Sequence, residues 1–345
     1  MMKTAVLMLN FGEPEHPVPE EVIPFLERIF SLNAGLMGPA TPEQVAARSR
    51  KLAEERAPGL IAEYEAIGGS PLAAQAREQA AGVEAELRRR GHEVVALVAY
   101  QFTRPSIAEA VAAAREAGAE RVVGLPVYPL AGPSTTVAAL VELAAEMARQ
   151  GWDAPLIEIS GWHRHPGYLA LRADAVRRVL ERDGVSLEEP GTRLVFSAHG
   201  TPMKYLEEGS RYDVYVRDFC ASLAEALGVS DYLLGYQNHT NRPGVRWTQP
   251  DIGAVIGETD ARRVVVDPVS FMHEQSETLA ELDHELRGEA EARGIAFHRV
   301  PIPYAAPEFF AVLADVVEAA VRGEGRGCRC RGSASAYCLN FAAFG

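Results

Sequence analysis

The chain is expected to be an α/β protein of two similar halves, each a four-stranded parallel sheet flanked by helices. Three observations point there. Eight short apolar runs alternate with segments of helical spacing, the order that parallel strands and right-handed crossovers require. They fall four to each half of a 345-residue chain, a length that exceeds one typical core. Loops rich in Gly, Pro and polar residues nearly all follow a strand's carboxyl end, where open parallel sheets bind ligands. Together these describe two Rossmann-like units.

Residues 4–10 (TAVLMLN) form the first strand, stopped by Asn10-Phe11-Gly12-Glu13-Pro14. An amphipathic helix is expected over 17–32, a partly apolar loop over 34–40 and two helices over 42–67, before Gly68-Gly69-Ser70-Pro71. Residues 72–90, rich in Ala, Glu and Arg, make a helix that ends at Gly91. A strand over 93–99 ends in Tyr100-Gln101-Phe102; a helix over 107–117 leads to a strand over 121–128. The loop closing on Ser134-Thr135-Thr136 caps a helix to about residue 150, and a strand over 155–160 completes the first half. The second half repeats the rhythm: helix 166–182, strand 193–198, helix 214–227, strand 232–237, strand 263–267, a helix to 292, strand 296–301 and helix 307–321. The units are expected at 1–160 and 161–305, with helix 306–322 packing back on the first and a cysteine-containing tail at 323–345. The four-and-four count suggests duplication, without a close repeat in the residues themselves.

Composition narrows the function. Hydrophobic residues at 48% and charged residues at 23% are ordinary for a globular protein. A net charge of -13 argues against nucleic acid as a partner. No apolar run reaches the roughly 20 residues of a membrane span, so a cytoplasmic location is expected. Cys220 stands alone, whereas Cys328, Cys330 and Cys338 fall within eleven residues. In a cytosolic chain such clustering favours a metal or cluster site over disulfides.

The chemistry centres on Leu194-Val195-Phe196-Ser197-Ala198-His199-Gly200-Thr201-Pro202, a buried strand that delivers one imidazole to its carboxyl end. Glu277 follows a later strand end. A strand-end histidine is also a common structural hydrogen-bonding group, and an acid at a helix start a common cap. An imidazole facing a carboxylate, however, takes protons or holds a transition metal. There is no glycine-flanked serine elbow, no Walker loop and no Gly-rich fingerprint, so no nucleotide cofactor is expected. The strand-end loops should gather Asn10, Phe11, Ser70, Tyr100, Ser134, His199, Gln237 and Glu277 around one crevice.

Six motifs, in order, resemble the ferrochelatases: Leu9-Asn10-Phe11-Gly12-Glu13-Pro14; Gly68-Gly69-Ser70-Pro71-Leu72; Tyr128-Pro129 with Ser134-Thr135-Thr136; Ser197-Ala198-His199-Gly200-Thr201-Pro202; Gln237 with Trp247 and Pro250; and Ser276-Glu277-Thr278-Leu279 with Glu281-Leu282-Asp283. The likeness runs from about residue 4 to residue 320. It implies a chelatase-like fold and insertion of Fe2+, as substrate, into protoporphyrin IX or coproporphyrin III in haem synthesis. His199 takes the place of the family's invariant histidine and Glu277 that of its active-site glutamate, both facing the metal. A porphyrin loses two pyrrole protons as the metal enters, which requires a base and a metal-handling group at the ring face. The porphyrin contacts implied are Asn10, Phe11, Ser70, Tyr100, Gln101, Ser134, Thr135, Gln237 and Trp247, with Leu36, Met37 and Phe102 as further apolar walls.

The chain departs from the family where Glu274-Gln275 replaces Asp-His, which makes His273 and Glu274 the candidates for the proton relay. Ala131 stands where a bulky residue is usual and Gln101 where Arg or Lys is, and Arg242 is a candidate propionate partner. The tail resembles the extension that holds a 2Fe-2S cluster in some members, with Cys328, Cys330, Cys338 and Cys220 as its candidate ligands. Peripheral membrane contact and a monomer or homodimer are both compatible with this reading. The competing readings are a tetrapyrrole- or haem-binding protein without catalysis and a chelatase for another metal.

Overall fold

A computed structural model describes residues 2–37, 39–238 and 245–324, and the backbone of residues 337 and 338. The first sheet contains β1 (Thr4–Asn10), β2 (Val94–Tyr100), β3 (Arg121–Pro126) and β4 (Leu156–Gly161), in the order β2-β1-β3-β4. The second contains β5 (Thr192–His199), β6 (Tyr232–Gln237), β7 (Arg263–Pro268) and β8 (Ala296–Arg299), in the order β6-β5-β7-β8. Every pairing is parallel. The first sheet also gains a fifth strand that the sequence reading missed. Residues Tyr337–Cys338 of the tail (β9) pair with the edge of β4.

Both faces of each sheet are buried, as parallel strands demand. Alternation along the strands turns Val6 and Met8 of β1 and Phe196 and Ala198 of β5 into one shared core. Four helices fill it: α3 (Leu72–Arg89), α6 (Pro166–Asp183), α8 (Tyr212–Ala226) and α12 (Pro307–Arg322). Outside the first sheet, Ala5, Leu7 and Leu9 pack on α4 (Ile107–Glu116) and α5 (Ala138–Arg149). Outside the second, Val195, Val264 and Val266 pack on α9 (Ile252–Glu258) and α11 (Arg287–Ala292). Helix α12 lies against α3, where a Cβ on Gly82 would come within 2.4 Å of the Phe310 ring, and Arg90 pairs with Glu318 at 2.9 Å.

Helix α1 (Pro19–Leu32) and helix α2 (Pro42–Ala66) form a separate apolar pair over the first sheet's loops. Residues 42–66 are one helix and not the two expected, although Pro58 removes an N–H from its interior. Ala53, Ala57, Leu60 and Tyr64 are buried along one face on both sides of Pro58, so packing keeps the helix whole. Two short helices escaped the sequence reading, α7 (Met203–Glu207) and α9, and the long helix after β7 is divided into α10 (Ser276–Leu279), a π-helical segment Glu281–Leu286 and α11.

The register of the two sheets aligns a diverged repeat that fits the expected duplication. Leu9 pairs with Pro126 as Ser197 pairs with Pro268. Asn10 pairs with Tyr100 as Ala198 pairs with Tyr236. On that register Phe11-Gly12-Glu13-Pro14 matches His199-Gly200-Thr201-Pro202, Tyr100-Gln101 matches Tyr236-Gln237, and the Arg-Val-Val of β3 matches that of β7. Continuing from Pro126 and Pro268, Ser134-Thr135-Thr136 falls on Ser276-Glu277-Thr278. Even a hydrogen bond recurs: Arg121 donates to Thr4 Oγ1, and Arg263 to Thr192 Oγ1.

Candidate active site

A cavity of about 940 Å³ opens where the strand ends of the two halves face each other under α1 and α2. Its size lies within the range of small-molecule sites. One wall is apolar, with Phe11, Phe25, Leu26, Ile29 and Phe30. Phe11 is braced from behind by Phe102, ring centroids 4.4 Å apart. Gly12 allows this turn: it has φ +85°, and a Cβ there would meet Thr103 Oγ1 at 2.3 Å. Opposite stand His199, Asn238, Glu277 and Glu281.

His199 closes β5, and its Nε2 lies 3.0 Å from Glu277 Oε1. Its Nδ1 hydrogen bonds to the carbonyl of Gly200 at 2.5 Å. A carbonyl only accepts, so Nδ1 carries a proton and Nε2 is the nitrogen turned to chemistry. The backbone is held as well: the His199 N–H donates to Ser270 Oγ, and Tyr212 OH donates to the His199 carbonyl at 3.1 Å. Burial works against an imidazolium, but the Glu277 carboxylate overcomes it and lifts the His199 pKa to about 9. The ring keeps a 39% exposed edge toward the cavity.

Glu277 comes from the start of α10, and its carboxylate is wrapped by donors. Asn238 Nδ2 donates to Oε1 and Gln275 Nε2 to Oε2. Burial opposes its ionisation, and the His199 imidazolium with these two amides more than offsets that, holding its pKa below the ordinary glutamate range. Glu281, one turn further, accepts from Gln237 Nε2 at 3.0 Å. Burial, then repulsion from Glu277, raises its pKa to about 8. Glu285 and Glu289 continue the row at four-residue spacing along the cavity wall.

The loop between β7 and α10 is clamped from both halves. From the first, Gln79 Nε2 donates to the Met272 carbonyl and Gln75 Oε1 accepts from the Glu274 N–H. From the second, the fully buried Arg172 pairs with Asp267 and donates to the carbonyls of Pro268 and Phe271. Glu13 joins the halves at the start of α10. Its carboxylate accepts from Ser70 Oγ at 2.5 Å and from both the hydroxyl and the N–H of Ser276.

Of the residues predicted from sequence, Asn10, Phe11, Ser134, Thr135, His199, Gln237, Trp247, His273 and Glu277 line this one cavity. Four of the expected porphyrin contacts and walls do not: Phe102 stands behind Phe11 and outside the lining. Tyr100 is 1% exposed, packed with Leu72, Ala73 and Ala76; Gln101 donates to the Ser134 carbonyl; Ser70 is spent on Glu13. Glu274 is also removed from the relay, because Arg299 Nη1 at 2.9 Å, the Ile302 N–H and the Thr278 hydroxyl occupy its carboxylate. His273 is buried with no partner for Nε2, and burial lowers its pKa to about 3.

Cys220 lies in the shared core, fully buried, and burial pushes its thiol well up, away from the thiolate a cluster needs. Cys328, Cys330 and Arg242 lie outside the described residues, as do the side chains of Cys338, Leu36 and Met37. Among the described residues no group of three or more His, Cys, Asp or Glu side chains is arranged to hold a metal ion. No described helix is long and apolar enough to cross a membrane.

The sequence profile of the ferrochelatase family matches residues 3–321. The chain belongs to the ferrochelatase family. The ferrochelatase of Synechococcus sp. strain RCC307 is 34% identical over 342 residues, covering 94% of this chain and 84% of the relative. That of Geobacter sp. strain M21 is 30% identical, covering 93% of this chain and 99% of the relative. That of Synechococcus sp. strain JA-2-3B'a(2-13) is 36% identical, with 92% of each covered. Among solved structures, SirB from Bacillus subtilis with Fe3+ superposes with a TM-score of 0.51 at 12% identity, over 92% of this chain and 96% of that one. CbiX, described as the terminal enzyme of sirohaem biosynthesis in denitrifying bacteria, gives 0.50 at 17% identity, over 92% and 98%. These two show the fold alone.

Sequence reasoning overlooked Asn238, Glu13 and the part played by Glu281. For Asn238 a signal was present, since an asparagine just past a strand is a residue that tolerates the left-handed backbone. Glu281 lies in the same motif as Glu277, one helical turn beyond it on the same face.

Proposed function

We propose that this member of the ferrochelatase family inserts Fe2+ into a porphyrin with His199 and Glu277 as the pair that meets the metal and takes up the pyrrole protons. The observation that carries it is the 3.0 Å contact of His199 Nε2 with Glu277 Oε1 on the wall of the cavity. The porphyrin gains Fe2+ and releases two protons, so the site must offer an electron pair to a cation and then a place for protons. With Nδ1–H held by Gly200, Nε2 offers that pair once its own proton has left. Cation and proton compete for the same nitrogen, so the KM for Fe2+ should fall as pH rises toward 9. Glu281 holds its proton at neutral pH chiefly because it is buried, and further because Glu277 is charged. Neutralising Glu277 removes that repulsion, and the released proton has Glu285 and Glu289 ahead of it along the wall. Phe11 and its apolar neighbours supply a flat, water-excluding face for the ring. His273, neutral and facing the same space, is the remaining relay candidate.

Anaerobic metalation with Fe2+ and each of protoporphyrin IX and coproporphyrin III tests this and assigns the ring. Tight binding of either without metalation would instead make the protein a tetrapyrrole binder, and turnover with another divalent metal alone a different chelatase. The cysteine tail belongs to the same proposal: Cys328, Cys330 and Cys338 offer thiolates for a 2Fe-2S cluster. Cys220 does not fit as their fourth partner, being sealed in the core. Purified protein without bound iron and acid-labile sulfide would reject the cluster.

A further inference from the structure

Asn238 follows the last residue of β6 and has φ 59°, the one positive φ outside glycine among the described residues. That backbone state is costly for most side chains and recurs where function demands it. Here it aims the carboxamide inward. Nδ2 lies 3.2 Å from His199 Nε2 and donates to Glu277 Oε1, the oxygen that also faces the histidine. Three groups therefore meet at one point, and only one of them can change its hydrogen-bonding sense without changing charge. A half-turn of the amide replaces two N–H donors with a carbonyl oxygen.

We propose that Asn238 is a further residue of the insertion centre, which steadies the Glu277 carboxylate before iron arrives and presents its amide oxygen to the cation afterwards. This rests on the function proposed above. An N–H facing Glu277 Oε1 suits an empty site with a charged carboxylate. The same N–H would repel Fe2+, and the carbonyl oxygen would bind it. Gln275 on Oε2 does not duplicate this, because it shares neither Oε1 nor the contact with His199.

The backbone makes a clean experiment available. Glycine adopts φ near +60° freely, so Asn238→Gly deletes the amide and keeps the turn. The variant should fold with a melting temperature within about 3 °C of the parent. Its kcat/KM for Fe2+ should fall roughly 10- to 100-fold, the scale of one hydrogen bond to a charged group. The KM for porphyrin should stay within about threefold, since the ring face is untouched. Asn238→Asp keeps the shape, removes the donor and sets a second carboxylate against Glu277, and should lower kcat with a fall at least as large. If Asn238→Gly metalates at the parental rate, or loses porphyrin affinity and iron affinity alike, the inference is wrong while the function stands. Parental protein that metalates neither ring sinks both.

Discussion

At the carboxyl ends of the first sheet stand Phe11, Ala131, Thr135 and Ala139; at the matching positions of the second stand His199, His273, Glu277 and Glu281. The scaffold around them is shared down to Gly12 and Gly200, Gln101 and Gln237, and Ser134 and Ser276. At these four matched positions the first half is uncharged and the second carries titratable groups, while the first half's buried carboxylate, Glu13, is spent on Ser70 and Ser276. Ionisable groups at these four positions in both halves would add to the desolvation cost, with one imidazolium to offset it. An apolar wall against an ionisable one suits the proposed function, in which a flat ring is pressed from one side and metalated from the other.

The strongest way to break this comparison is His199→Ala, which should lower kcat by roughly 10²- to 10⁴-fold, the range for loss of an acid–base group. Phe11→Ala should act mainly on the KM for porphyrin. Restoring an imidazole on the other wall, Phe11→His in the His199→Ala background, should not rescue turnover, because Thr135 offers no carboxylate there. Recovery in the anaerobic metalation assay would show that the two walls are interchangeable.

A second difference is structural. Leu125 is the next-to-last residue of β3 where Asp267 is that of β7, and Asp267 is 0% exposed with Arg172 as its partner. Asp267→Leu copies the first half but strands Arg172 in the core, and should cost about 3–5 kcal/mol in denaturant unfolding. Arg172→Met with Asp267→Leu should recover most of that. It should still reduce kcat, since the carbonyls of Pro268 and Phe271 lose the guanidinium that holds the loop carrying Glu277. A double variant with full activity would make the ion pair dispensable to the site.

The same contrast explains what could be read in advance. Apolar strands bounded by Gly and Pro are local patterns, so the eight strands of residues 4–301 fall within a residue or two of their sequence-derived bounds. Helix α2 was misjudged because Pro58 is a local breaker, overruled by a buried face that only the tertiary fold supplies. That His199 and Glu277 reach the cavity is legible, since each ends a strand or opens the helix after one. Tyr100, Gln101 and Ser70 also sit at strand ends or motif loops, yet turn behind the wall. Chain position places a residue at an edge; the direction of its side chain depends on neighbours such as Ala73 and Glu13. The repeat is not legible in the residues because only a minority of matched positions are identical, and the register that aligns them is a property of the sheets.

Glu281 sharpens the comparison through pH. Its pKa rises from 4.5 to about 8 in the fold. An acid raised on folding binds more protons in the native state, so its contribution to stability is lost as pH climbs from 4.5 through 8. Glu281→Gln, closer to the uncharged Ala139 of the first half, should therefore be more stable than the parent above pH 8, by on the order of a few kcal/mol, and near parity below pH 4.5. Equal denaturation midpoints at pH 9 would mean that the carboxylate finds compensation that the site does not display.

The smallest expected effect separates two serines at matching positions. Ser276 is 8% exposed and spends its hydroxyl on the buried Glu13, whereas Ser134 lines the cavity. Ser276→Ala should cost about 1–2 kcal/mol, because Glu13 loses one of its donors in a place water does not reach. Ser134→Ala should stay within about 0.5 kcal/mol. The pH dependence gives the sign: burial already raises the Glu13 pKa, with donors from Ser276 and Ser70 opposing it. Removing a donor raises it further, so the Ser276→Ala variant should lose stability relative to the parent as pH rises, and approach it in acid where Glu13 is protonated in both. If urea unfolding shows the two serine variants alike at pH 8, Glu13 does not join the halves, and α10 is held by its loop clamps alone.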